Sequence, residues 1–136
     1  MMSGSKDIDF LLENMSPEII PGEYVFSTVN AETLKELSAS PILIFREKEA
    51  TTVVVTKDVA DIHSLSYENT CGLITLSVHS NLSAIGFLAE VTRVLAKAGL
   101  SVNVVSAFYH DHLFVPYNRT SEALSVLLEV FGTKAR

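Results

Sequence analysis

The chain has 136 residues, 48% hydrophobic and 19% charged, which excludes a disordered segment and leaves room for one medium domain or two small ones. Its net charge of −6, with no cluster of Lys or Arg, excludes a general polyanion binder, because a nucleic-acid footprint needs a basic patch or stripe. No apolar run reaches the roughly 18 residues of a membrane span, and Met1–Asp7 lacks the apolar centre of a secretory signal.

Ile8, Leu11, Leu12 and Met15 recur at helical spacing and predict a short amphipathic helix over 7–15. Pro17 and the pair Pro21-Gly22 then punctuate the chain, with Glu18-Ile19-Ile20 as a short strand between them. Tyr24–Val29 is rich in β-branched and aromatic residues and reads as a second strand. Asn30 is placed to cap a helical turn through Leu37. Pro41–Arg46 and Thr51–Thr56 read as a hairpin across Glu47–Ala50, and Asp58 is a candidate cap for a short helix to about Leu65. Cys71 reads as a small core residue. As the only cysteine it permits no internal disulfide, and a cytoplasmic location is expected. On one unbroken strand Cys71 and His79 would stand roughly 26 Å apart, so they form no dyad.

The second half is cleaner. A strand is expected from about Tyr67 to His79, followed by a helix with Ile85, Leu88, Val91, Leu95 and Ala98 on its buried face and Glu90, Arg93 and Lys97 opposite. Gly99 suits the left-handed position after a helix end. Val102–Phe108 reads as a strand that turns at His110-Asp111 into Leu113–Val115, which Pro116 ends. A last helix follows Asn118, with Ala123, Leu124, Leu127, Leu128 and Phe131 as its apolar stripe. The seven phenylalanines (Phe10, Phe26, Phe45, Phe87, Phe108, Phe114, Phe131) read as core anchors.

Both halves therefore repeat one element order. This predicts an α+β fold: two tandem ferredoxin-like βαββαβ units with antiparallel sheets, residues 1–66 and 67–136. The second unit runs out of chain before its closing strand. Glu18–Ile20 is expected to cover that sheet edge, which would otherwise be an aggregation-prone template.

Ser83-Ala84-Ile85-Gly86-Phe87-Leu88-Ala89-Glu90-Val91 and Leu95-Ala96-Lys97-Ala98-Gly99-Leu100-Ser101-Val102 resemble the ACT domain, a small sheet-and-helix module that senses amino acids. Gly86 matches the glycine of that motif and Leu88-Ala89 its helix start. Ser83 stands where the family often has Asp, Ile85 where it often has Pro, and the loop His79–Leu82 is longer than usual. The first half resembles the family by element order alone. The resemblance implies a non-enzymatic regulatory module without a cofactor. Its ligand, such as an amino acid, would lie at a domain or subunit interface, among Ser80, Asn81, Ser83, Ile85 and Gly86, with Asn103 and Val104 on the neighbouring strand. It also implies an effector protein, since no output domain is present, and a mean hydropathy of +0.32 adds support for a homodimer. Val29-Asn30-Ala31-Glu32 carries an acid and no glycine, so the second half is favoured as the binding side.

Two other readings stay open on sequence. Tyr109-His110-Asp111-His112 offers nitrogen and oxygen donors for a metal-dependent hydrolase, although a polar hairpin turn accounts for the same residues. An assembly protein that binds nothing small would share the whole fold.

Overall fold

A computed structural model describes residues 7–78 and 85–132. Its elements are α1 (Ile8–Glu13), β1 (Pro17–Val29), α2 (Ala31–Leu37), β2 (Leu43–Arg46), β3 (Thr51–Thr56) and α3 (Lys57–Ile62) in the first half. The second half holds β4 (Cys71–Leu76), α4 (Phe87–Lys97), β5 (Asn103–Ser106), β6 (Asp111–Pro116), a 3-10 turn (Tyr117–Arg119) and α5 (Thr120–Phe131). They form two compact units, one continuous (residues 22–71) and one discontinuous (up to residue 21 and from 72 onward).

The continuous unit has strand order β2–β3–β1, with β1 and β3 antiparallel in the register Val25↔Val55, Ser27↔Val53 and Val29↔Thr51. Alternation puts Val25, Val29, Val53 and Val55 on one face, where they bury against Leu37 of α2 and Ala60 of α3. Buried Ser27 satisfies its hydroxyl by donating to the Ser66 carbonyl at 2.5 Å. Asn30 caps α2 as expected, its Oδ1 accepting from the Thr33 amide at 2.8 Å. The cap of α3 is Thr56, whose Oγ1 accepts from Val59, and not Asp58, which lies inside the first turn. Thr56 ends β3 in extended geometry, so it can cap the helix that starts one residue later.

The expected break at Pro21-Gly22 does not occur, and β1 runs unbroken for 13 residues. Gly22 adopts φ +128°, and a Cβ there would stand 2.9 Å from the Tyr24 ring. The glycine takes up the irregularity and lets that ring lie against the backbone, so the strand continues.

In the discontinuous unit the amino-terminal part of β1 lies beside β4, followed by β6 and β5. The amides of Ser77 and Val78 donate to the carbonyls of Ser16 and Met15, so the two stretches run in opposite directions. The stretch around Glu18–Ile20 thus covers the β4 edge, as the sequence predicts. Ile74 and Leu76 of β4 and Leu113 and Val115 of β6 point to the helical side. There they pack with Phe87, Val91 and Leu95 of α4, Ala123 and Leu127 of α5, and Leu11 and Met15 of the α1 segment. Each of the larger of these side chains, Ala123 apart, contributes about 1.5–3 kcal/mol on burial.

α5 starts close against β4. A Cβ on Gly72 would fall 2.0 Å from Thr120 Oγ1, so only glycine permits that approach. Arg119, just ahead of α5, donates to the carbonyls of Gly99 (2.9 Å) and Ala98 (3.4 Å) at the far end of α4 and pairs with Glu122. A cation at those carbonyls complements the helix dipole.

The phenylalanines divide. Phe87 and Phe114 are buried, Phe26 and Phe131 are partly buried, and Phe10, Phe45 and Phe108 are exposed, so the expectation of seven core anchors fails. Phe45 lies on β2, the last strand of its sheet, and is 63% exposed. A strand with one neighbour leaves its outer side uncovered.

Candidate functional site

The start of α4 differs from those of the three helices before it. Asp7, Asn30 and Thr56 cap α1, α2 and α3 with side-chain oxygens that accept backbone N–H groups. α4 starts on Gly86, in left-handed geometry (φ +89°, ψ −11°), and among the described residues no side chain caps it. Its first-turn amides present donors, and the helix dipole adds a partial positive charge. Phe87, 2% exposed, anchors this turn in the core, while Ile85 is 88% exposed. Ile85 therefore does not belong to the buried face; Phe87, Val91, Val94 and Leu95 make it.

Glu90 brings an acid into the same turn, but Arg93 binds it with two hydrogen bonds, 2.7 and 3.1 Å. Those hydrogen bonds and the charge of Arg93 lower the Glu90 pKa, and Glu90 raises that of Arg93. The pair offsets much of the repulsion a lone carboxylate would exert on an anion. At its far end α4 stops as the sequence predicts: Gly99 has φ +80°, its amide donates to Ala96 O (2.9 Å), and the Leu100 amide donates to Leu95 O (3.0 Å).

Of the sequence-predicted ligand residues, Ser80, Asn81 and Ser83 lie outside the described residues. Ile85 and Gly86 flank the start of α4, with the Ile8 Cδ1 methyl 2.9 Å from where a Gly86 Cβ would stand. Asn103 and Val104 open β5, beyond the other end of α4. The 11 residues of α4 span roughly 16 Å, so one copy does not bring these two groups together. Val104 packs towards the helical core, and exposed Asn103, its neighbour on the strand, belongs to the opposite face.

Two family models, each described as an ACT domain, match residues 3–72 and 68–129. The chain belongs to the ACT domain family. A Vibrio cholerae protein of unknown function, described as a possible transport protein, shares 42% identity with it. The two structures superpose with TM-score 0.81 over 91% of this chain and 95% of that one. The regulatory subunit of aspartate kinase from Thermus thermophilus, in a ligand-free form, superposes with TM-score 0.65 at 11% identity, over 85% of this chain and 95% of that one. Aspartokinase III from E. coli, in complex with aspartate and ADP, gives 0.62 at 13% identity, over 83% of this chain and 32% of that one. The last two likenesses are of fold. No curated protein matches the chain.

Within the second ACT unit, the Tyr109–His112 residues split apart. The tight turn is Ala107–His110, closed by the Ala107 amide on His110 O, and Asp111 is the first residue of β6 instead of a turn residue. Asp111 is buried, and by alternation shares the face of Leu113 and Val115. His112 takes the other face, where its Nδ1 meets Thr75 Oγ1 at 2.9 Å. Burial and the neighbouring His110 push the His112 pKa down, with Asp111 opposing. Among the described residues no group of three His, Cys, Asp or Glu is placed to hold a metal ion. Burial also raises the Cys71 thiol pKa, opposite to what activates a nucleophile.

Sequence reasoning missed two features. The Thr75–His112 bond joins residues 37 apart and leaves no local pattern. The contact of Ile8 with Gly86 is likewise non-local, and nothing in the spacing of Ile8 separates a core residue from one that touches the motif glycine.

Proposed function

We propose that this ACT protein is a non-enzymatic regulatory module that binds a small carboxylate ligand, an amino acid, at the start of α4. The observation that carries the reading is the first turn on left-handed Gly86, which no side chain among the described residues caps. A carboxylate there accepts backbone N–H groups and sits at the positive end of the helix dipole. Ser80, Asn81 and Ser83 precede this turn in the chain and supply polar contacts, with Ile85 and Gly86 at its rim. Asn103 and Val104 come from a second copy. β5 is the last strand of its sheet, and antiparallel pairing of two β5 edges brings the start of one β5 towards the end of the other. The protein accordingly works as a homodimer in the cytoplasm and signals to an effector protein through a ligand-dependent shift at that interface. In sequence terms the two ACT units meet at 66/67, beside the overlap of the family matches at 68–72.

A thermal-shift screen of the full chain against each of the twenty amino acids tests the reading. Binding at one hundred times Kd adds about 2.7 kcal/mol of stability, which a melting curve resolves easily. One or two amino acids should raise Tm, and the rise should shrink in Asn103→Ala, whose exposed side chain the fold does not need. A flat screen across all twenty refutes the ligand.

A further inference from the structure

The face of the discontinuous unit's sheet that turns away from the helices carries two histidines that the ligand reading does not use. β6 sends Leu113 and Val115 into the helical core, and alternation turns His112 to the other face. There His112 has Val105 of β5 as its register partner and Thr75 of β4 on its other flank, with Nδ1 2.9 Å from Thr75 Oγ1. Two residues earlier, His110 closes the turn that begins at Ala107. Its ring stands beside that of His112, with ring centres 6.4 Å apart and planes at 88°. Both histidines are half-buried. Backbone atoms close the turn and join β5 to β6, so neither feature requires an imidazole.

Two imidazoles one residue apart on extended backbone form a chelating pair. A transition metal binds imidazole nitrogen at about 2.0–2.1 Å, which puts the ion about 3.2 Å from each ring centre. Tetrahedral coordination then asks for ring centres about 5 Å apart, so the observed 6.4 Å has to close by about 1 Å. Rotation of the His110 side chain, which lies in the turn ahead of β6, supplies that movement without disturbing the strand. Thr75 completes the geometry. Ligating histidines almost always donate their second ring N–H to an oxygen, which fixes the tautomer. With Nδ1–H donating to Thr75 Oγ1, Nε2 of His112 carries the lone pair, across the ring from Thr75.

We propose that His110 and His112 form a two-histidine site for a borderline divalent transition-metal ion (Zn²⁺, Ni²⁺ or Cu²⁺), with Thr75 as the positioning residue of His112. Imidazole suits these metals, whereas Mg²⁺ and Ca²⁺ take oxygen donors. Asp111 lies on the opposite face, so the chain supplies two ligands and water fills the other positions. The site is independent of an amino acid at α4, and no reaction is ascribed to it.

The test titrates untagged full-length protein, stripped with EDTA, with NiCl₂ and ZnCl₂ by calorimetry and with CuCl₂ by electron paramagnetic resonance. One saturable equivalent is expected, with coupling to two imidazole nitrogens in the Cu²⁺ spectrum. Binding should be lost in His110→Ala and in His112→Ala. It should be unchanged in His63→Ala, since His63 belongs to the continuous unit. Thr75→Val should weaken affinity by about tenfold or more, and Thr75→Ser, which keeps the hydroxyl, should restore it. His110→Ala alters a turn side chain outside the strand ladder, so its melting curve without metal should match that of wild type. No saturable binding by wild type overturns the site, as does binding that survives either histidine replacement. Equal affinity in Thr75→Val overturns the positioning role of Thr75.

Discussion

Gly72→Ala should be among the most damaging single-atom changes in this protein. The added Cβ would stand 2.0 Å from Thr120 Oγ1 and 2.9 Å from both Cβ and Cγ2 of Thr120. Rotating the threonine does not relieve this. Its Cβ is already too close, and its hydroxyl donates to Tyr117 O at 2.8 Å. β4 and the start of α5 must therefore separate, by about 1 Å to restore an ordinary contact, inside a core that tolerates little. Overpacking of this kind costs about 1–3 kcal/mol, and the clash with both an oxygen and two carbons puts Gly72→Ala in the upper part of that range. Loss of unfolded-state freedom returns about 0.4–1 kcal/mol, leaving a net loss of roughly 2 kcal/mol. With a urea m-value of about 2 kcal/mol per molar, the midpoint followed by circular dichroism should fall by about 1 M. Thr120→Ala alone loses one hydrogen bond, about 1 kcal/mol. Because it also removes the nearest clashing atom, the double variant should be about 1 kcal/mol better than the sum of the singles. An unchanged midpoint for Gly72→Ala, or strict additivity, would refute this account of the β4–α5 approach.

Leu11→Ala should cost about 2–5 kcal/mol in the same denaturation assay, because Leu11 is fully buried in the core of the discontinuous unit; a loss under 1 kcal/mol would mean that α1 is an appendage. Gly99→Ala should cost only about 1 kcal/mol, since a Cβ there meets nothing within 4 Å and the penalty is the left-handed φ of +80° alone. For His112, burial and His110 lower the folded pKa below the usual 6.5. Above that value the ring is neutral in both folded and unfolded chains. As pH falls below it the unfolded chain binds the proton first, so stability drops until the folded pKa is reached. His112→Gln should remove that part of the decline in Tm between pH 7.5 and 5, and an identical pH profile in the variant would exclude His112 as its source.

Local signals were legible wherever one segment decided the outcome. The stop of α4 at Gly99, the cap at Asn30 and the period of the last helix need only neighbouring residues, and the structure keeps all three. Reading failed where two segments compete. Pro21-Gly22 looks like a break because nothing local shows that β1 has partners on either side of it: β4 before Gly22 and β3 after Tyr24. Ile85 and Phe87 both fit an apolar position at the head of α4. The larger ring enters the core, which leaves Ile85, outside the helix, in solvent. Tyr109–His112 read as one constellation because its residues are adjacent, yet strand alternation sends Asp111 and His112 to opposite faces. Gly86 was legible as a motif residue but not as the seat of Ile8, since that contact joins residues 78 apart.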